Sequence, residues 1–198
     1  MNIEIRKLTP ELAEDYARFF DDTSHDVNID ERKCYCVTWR SDDSYVGNGD
    51  HWYPTREERR NRAIQFVKNG SIKGYLAFHG DKIVGWCNAN DDCKGCVNYL
   101  RDYWPIDKHP VGIKIKSIFC FVIAPEAKRM GVATKLLECI CQDAAADGFD
   151  SVEAYAYDKF TDVAHDFRGP LSMYEKCGFI KTAEREGKVV VRKALKQT

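Results

Sequence analysis

Apolar positions along the chain switch between a spacing of two and a spacing of three to four, and each switch marks an element. "NIEIRKL" (2–8) alternates and predicts an edge or half-buried strand. Thr9 and Pro10 then open a helix as cap and first-turn proline, with Leu12, Tyr16, Phe19 and Phe20 as its buried stripe. Thr55 and Glu58 form a capping-box pattern ahead of "REERRNRAIQFVKN", a helix that stops at Gly70. "GYLAFHG" and "KIVGWCNAN" read as two strands joined at Gly80-Asp81. "IKIKSIFCFVI" alternates in its first half and is apolar on both faces in its second, which predicts a central strand. Residues 131–147 place Val132, Leu136, Leu137, Ile140 and Ala144 on one helical side and end at Gly148. "SVEAYAY" is a further strand, "GPLSMYEKC" a short helix between Pro170 and Gly178, and "VVVRKAL" a last strand. The order β-α-α-β-β-β-α-β-α-β predicts an α/β fold with a mixed β-sheet flanked by helices. Segments 21–54 and 91–111 read as irregular.

Composition narrows the picture. With 198 residues, 44% hydrophobic and 12% aromatic, one core and one domain over 1–198 are expected. A net charge of -1 gives no support to a nucleic-acid binder. No run approaches membrane-spanning length, and "MNIEIRKLTPELAEDY" is charged throughout with no apolar signal region, so a cytoplasmic protein is expected. Nine cysteines, an odd number, fit reduced thiols. Cys34-x-Cys36 and Cys93-x-x-Cys96 could together make a four-thiolate zinc site, but the first pair is tighter than usual ligand spacing. Together with Cys87 they are read as five unrelated thiols, and no metal is expected. A redox role for "CKGC" is set aside because the motif is not read at a helix start after a strand.

The chemistry gathers at "FVIAPEAKRMGVATKLLECI" (121–140). Lys128, Arg129 and Lys135 surround Gly131 at a helix start, where the dipole disfavours cations and favours an anion. A phosphate group is the simplest partner. The P-loop string and the Rossmann G-x-G-x-x-G are both absent. "KRMGVA" after an apolar strand and a proline resembles the coenzyme A signature of the GNAT family of N-acetyltransferases, R/Q-x-x-G-x-G/A. Lys128 stands at the first position, where Gln or Arg is usual, Gly131 at the glycine and Ala133 at the last. "SMYEKCGFIKTAE" resembles that family's second signature through Tyr174, Gly178 and Phe179. The likeness covers about residues 72–193. "CYCVTW", "GWCNAN" and "VEAYAYD" resemble strings of one branch of the family, which points to no particular amine. Phe167 departs from the pattern: many members carry a polar residue, often Asn, seven positions before the tyrosine. Arg168 follows it, and is read as an exposed loop arginine that could instead reach a phosphate.

The resemblance implies a centrally splayed sheet and acetyl transfer from acetyl-CoA to an amine of a small molecule or peptide. It places the thioester beside Phe121, Val122 and Ile123, with the Ile123 N–H facing the oxyanion. It places the pyrophosphate on the N–H groups of Arg129, Met130, Gly131, Val132, Ala133 and Thr134. Tyr174 would donate to the departing sulfur. Glu153 is the first candidate for the base; Asp158, His165 and Asp166 follow. The amine site is expected in the irregular segments. There Asp21, Asp22, Asp26, Asp30, Glu31, Asp42, Asp43 and Asp50 outnumber Arg32, Lys33 and Arg40, an excess of five that would attract a cationic amine. Trp39, Trp52, Tyr53, Tyr99, Tyr103 and Trp104 could line its pocket. Two rival readings are a silent acyl-CoA sensor of the same fold, against which Tyr174 speaks, and a zinc-bearing interaction domain.

Overall fold

The computed structural model describes residues 2–23, 33–41, 53–91, 94–109, 111–159 and 167–195. Its elements are β1 (Glu4–Lys7), α1 (Ala13–Asp22), α2 (Arg56–Lys68), β2 (Gly74–His79), β3 (Lys82–Asn90), α3 (Lys94–Arg101), β4 (Ile115–Ile123), α4 (Val132–Ala146), β5 (Ser151–Tyr157), α5 (Leu171–Lys176), β6 (Ile180–Arg185) and β7 (Lys188–Ala194). The strands form one mixed sheet in the order β1-β2-β3-β4-β5-β7-β6. As the alternation of "NIEIRKL" predicts, β1 is an edge strand, and β4 lies at the centre with every position from Lys116 to Val122 buried.

Local signals hold where the chemistry is local. Thr55 Oγ1 accepts from the Glu58 N–H at 3.1 Å, and the Glu58 carboxylate accepts from the Thr55 N–H at 3.2 Å, which closes the capping box of α2. Thr9 stands at the cap position without a side-chain capping bond, and Pro10–Leu12 make a 3₁₀ turn before α1. On α4, Val132, Leu136, Leu137, Ile140 and Ala144 are all buried.

Three readings are corrected. Segment 91–111 contains α3, whose Cys96, Val97 and Leu100 are buried; Gly95 in its first turn and the absence of a capping signal hid it. "CKGC" therefore does meet a helix start after strand β3, against the reason given for setting it aside; Cys93 itself lies outside the described residues. The C-terminal region holds two strands, not one. β6 is an edge strand whose positions are mostly exposed, so it carries no alternation to read.

All strand pairs are antiparallel except β4 with β5. A parallel pair needs a long crossover, and α4 supplies it. The parallel ladder runs only from Ile115–Ser151 to Ile118–Ala154. Beyond that point β4 continues through Phe119–Ile123 and β5 through Tyr155–Tyr157, without pairing to each other. The sheet is thus open at its centre, and about 16 Å of β4 edge is left beside the opening.

Candidate active site

The open edge of β4 carries its own donors. The Ala124 N–H bonds Val84 O on β3 at 3.0 Å. Backbone groups alternate direction along a strand, so the N–H groups of Phe121 and Ile123 face the other way, toward β5 and the opening. Phe121 and Val122 are buried and Ile123 is partly so.

At the end of β4 the chain makes a turn over Pro125–Ala127, then runs through exposed Lys128, Arg129, Met130 and Gly131 into α4. Arg129 (φ 61) and Gly131 (φ 79) are both left-handed. Gly131 is the N-cap of α4, and no side chain caps this end. The first-turn N–H groups of a helix have no partner within it, so those of Val132, Ala133 and Thr134 form an uncapped positive pole. A Cβ at Gly131 would meet nothing within 4 Å, so the chain itself leaves the space above the turn clear. Conformation, not internal crowding, is what selects glycine there. Gly85 on β3 serves differently: a Cβ would fall 2.9 Å from Val132 Cγ1 and 3.1 Å from Ile123 Cδ1. Its absence lets the start of α4 settle onto the sheet beside the opening.

Tyr174 sits on α5, fully buried, with its ring 6.4 Å from that of Phe121 and 5.4 Å from that of Phe179. Its hydroxyl donates to Arg168 O at 2.7 Å. Burial raises the phenol well above its ordinary value. The segment 167–170 lies in the lane that β4 vacates. Pro170 makes a parallel bridge to Tyr157 of β5, and a Cβ on Gly169 would lie 3.6 Å from the Phe121 ring of β4 and 3.5 Å from the Tyr174 hydroxyl. Arg168 in this segment is buried, which corrects its reading as an exposed loop arginine.

Glu153 lies one residue before the parallel ladder ends, paired with Ser117 across it. Its carboxylate is fully buried and takes Arg192 Nε at 3.0 Å, His109 Nε2 at 3.1 Å and the Tyr155 hydroxyl at 2.8 Å. Tyr155 is also 3.4 Å from Ser117 Oγ. Burial alone would raise the carboxyl, but the hydrogen bonds from His109 and Arg192 outweigh it and the net direction is down. Glu153 is therefore a held carboxylate, and solvent reaches the group through its two partners, His109 with its side chain 20% exposed and Arg192 with its side chain 31% exposed. No motif marked His109 or Arg192, because they meet Glu153 only through the fold. Asp158 is exposed at the end of β5, and its backbone N–H bonds Gly187 O. His165 and Asp166 lie outside the described residues.

The aromatic residues expected near the amine fall into separate groups. Trp39 stacks on Phe119 at 5.2 Å, Phe119 on Tyr155 at 5.6 Å, and Trp104 meets Tyr157 edge-on at 5.4 Å. Trp104 Nε1 donates to Ala156 O on the part of β5 that β4 no longer pairs. Tyr99 packs against Trp39 while Tyr103 is 45% exposed. Tyr53 packs away from this wall against Phe66, and Trp52 is outside the described residues. The acidic rim looks different once folded. Asp21 is bound by Tyr35, Arg56 and Arg60, which hold its carboxyl low although burial opposes them. Asp22 is exposed at the end of α1, and Asp26, Asp30, Glu31, Asp42, Asp43 and Asp50 lie outside the described residues.

Among the described residues no group of three or more His, Cys, Asp or Glu is placed to hold a metal ion. Cys96 is buried, its thiol 3.4 Å from Arg40 O. Burial pushes the Cys34 thiol up to about 12, which disfavours the thiolate a metal needs. Likewise, no helix among the described residues is long and apolar enough to cross a membrane.

Solved structures share this architecture over nearly the whole chain. An N-acetyltransferase from Staphylococcus aureus Mu50 matches with a TM-score of 0.56 at 12% identity, covering 99% of this chain and 100% of that one. PaiA N-acetyltransferase from Thermoplasma acidophilum, in complex with coenzyme A, matches with a TM-score of 0.54 at 15% identity, covering 98% and 99%. The NatC complex bound to Gag peptide and CoA matches with a TM-score of 0.55 at 13% identity, covering 99% and 100%. At these identities the likeness is one of fold. The family comes from the sequence profile: that of the Acetyltransferase (GNAT) family matches residues 25–179, and the chain belongs to that family. A search of curated proteins finds no match. The family and its CoA-bound fold neighbours support acyl-CoA-dependent acetyl transfer in general.

Proposed function

We propose that this chain is an enzyme that moves an acetyl group from acetyl-CoA to an amine of a small molecule or peptide. The observation that carries the reading is the alignment of two features: a sheet opened beside β4, and an uncapped, glycine-led helix start at the end of the same strand. The turn fits a pyrophosphate, because its N–H groups are unused, the space above Gly131 is clear, and Lys128, Arg129 and Lys135 are exposed around it. Met130 through Thr134 complete the cradle. Acetyl-CoA, when bound, supplies an acetyl group already activated as a thioester.

The chain's own residues then have four tasks. The β4 edge at Phe121, Val122 and Ile123 aligns the extended arm of the ligand in the opening. The Ile123 N–H faces the charge that develops on the thioester oxygen. Tyr174 keeps its proton, and its hydroxyl donates toward the leaving sulfur in place of Arg168 O. Glu153 and His109 form a pair that accepts the proton from the amine. In that pair His109 meets the amine or its bridging water, and Glu153 orients it and balances its charge. This shifts the base from Glu153, as expected from sequence, to its partner. The acceptor would approach along the wall of Trp39, Phe119, Tyr155 and Trp104. The engagement of Asp21 by arginines weakens the case for a cationic acceptor.

Gly131→Asp tests the core of the proposal. It forces a left-handed non-glycine residue and places a carboxylate over the helix pole. Isothermal titration with acetyl-CoA should show binding to the wild type and its loss in the variant, with the fold retained by circular dichroism. Equal affinity in both would refute the anion cradle.

A further inference from the structure

Arg168 is the least explained residue in the opening. It is only 6% exposed, yet its Nε and Nη1 are sealed from solvent with no hydrogen-bond partner among the described residues. These two nitrogens belong to different two-pronged edges of the guanidinium, so each edge holds an unfilled donor. A buried cation without a counter-ion costs several kcal/mol. Part of that is offset by rings: the guanidinium carbon lies 4.1 Å from the centroid of Trp104, 4.9 Å from Phe167 and 5.6 Å from Trp39. Such stacking uses the faces of the guanidinium and leaves its in-plane N–H groups free. Burial pulls its pKa down, and the largest electrostatic influences on it among the described residues come from Tyr157, Cys120, Tyr174 and Tyr155, none of them a carboxylate. Glu153, the buried carboxylate at the base of the opening, is already taken by Arg192 and His109. Asp158, at the end of β5, is exposed.

The place of the residue matters as much as its missing partner. Its backbone oxygen holds the Tyr174 hydroxyl, and its segment lies between Phe121 of β4 and Tyr157 of β5. It therefore sits beside the proposed point of transfer, on the side lined by Trp39 and Trp104. The pyrophosphate cradle is elsewhere, at the exposed cations around Gly131. An anion for Arg168 should be planar, able to take two parallel N–H bonds, and small enough for an aromatic slot. A carboxylate meets all three conditions.

We infer that the acceptor is an amine that also carries a carboxylate, such as a free amino acid or a peptide with a free C-terminal end, and that Arg168 is the residue that binds it. This rests on the acetyl-transfer reading and names the substrate class for it. The charge of Arg168 is completed only in the ternary complex, so recognition of the acceptor and neutralisation of the buried cation are one event. An amine without the anion would leave the cation unpaired, and the site would discriminate strongly against it.

The test is a paired acceptor panel with release of free CoA thiol as the readout. It would compare α- and β-amino acids and dipeptides, each as the free acid and as the carboxamide, in the wild type, Arg168→Gln and Arg168→Lys. For at least one pair, the wild type should prefer the free acid by about 100-fold or more in kcat/KM, as expected for a lost charged two-pronged contact. Arg168→Gln should erase that preference mainly through KM and leave the Kd for acetyl-CoA within about twofold. If Arg168→Gln does not fold, Arg168→Lys, which keeps the charge without the fork, should still lower the acid-to-carboxamide ratio at least tenfold. Best turnover on carboxamides, an unchanged ratio in both variants, or a weakened acetyl-CoA affinity in Arg168→Lys would each overturn the inference. Absence of turnover on the whole panel by a wild type that binds acetyl-CoA would also overturn it. A wild type that fails to bind acetyl-CoA would instead refute the acetyl-transfer reading on which it stands.

Discussion

Tyr174→Phe removes one oxygen from the molecule and separates its observed hydrogen bond from its proposed part in turnover. In the folded chain the hydroxyl donates to Arg168 O at 2.7 Å, buried from solvent. Its loss leaves a buried carbonyl without that donor, which costs about 1–3 kcal/mol. For a chain of this size each kcal/mol lowers the melting temperature by roughly 2–4 °C, so a fall of about 5 °C is expected. In the acetyl transfer proposed above, the same hydroxyl would stabilise the departing thiolate. A phenol has a reference pKa near 10 and a thiol near 8.5, so full proton transfer is uphill by about 2 kcal/mol before the environment acts. Burial raises the Tyr174 phenol further and makes transfer still less favourable. Its contribution is therefore hydrogen-bond donation to the sulfur, and a donor of this kind is worth about 10²-fold in kcat. The decisive assay measures kcat, acetyl-CoA affinity and melting temperature together on the folded variant. The expected result is kcat down by about two orders of magnitude, Kd for acetyl-CoA within about twofold, and the modest loss of stability. Because the phenol is raised well above 10.0, the wild-type kcat should also show no titration of Tyr174 up to that pH. A variant with lowered melting temperature and wild-type kcat would make Tyr174 a structural residue only.

The Glu153 group gives a second test. Glu153→Gln leaves Arg192 without its carboxylate and should cost about 3 kcal/mol of stability. It should also lower kcat, as should His109→Gln with a smaller loss of stability, which a urea titration beside a rate assay would read. Because the folded pKa of Glu153 lies below its ordinary 4.5, this group contributes stability that is present above that pH and is lost as the pH falls through the lower folded value; a flat stability profile below pH 4.5 in the wild type, matching that of Glu153→Gln, would contradict the assignment. For metal, the purified protein should contain no zinc by elemental analysis and keep its melting temperature in chelator. One equivalent of zinc, lost on Cys93→Ser with Cys96→Ser, would restore the four-thiolate reading.

The sequence by itself determined whatever depends on neighbours along the chain. The capping box of α2, the turn at Gly80-Asp81, the buried stripe of α4 and the left-handed Gly131 at its start all involve residues within a few positions of one another. For that reason the uncapped, glycine-led helix start proposed as an anion cradle was legible as a string. The family signatures were legible for the same reason, since Tyr174 and Gly178 share one helix end. Tertiary structure decided the rest. His109 and Arg192 reach Glu153 across 44 and 39 residues, and no local spacing encodes such a meeting. Trp39 and Phe119 stack from segments far apart in the chain. β6 was invisible because an exposed edge strand has no buried face and so no alternation. The opening in the sheet depends on where the parallel ladder stops, which is a matter of twist and of the segment 167–170 lying between the two strands. That same placement buried Arg168. Read along the chain it is an arginine before a glycine and a proline, with every expectation of solvent; only the closure of β4, β5 and Trp104 around it makes it a cation in need of a partner.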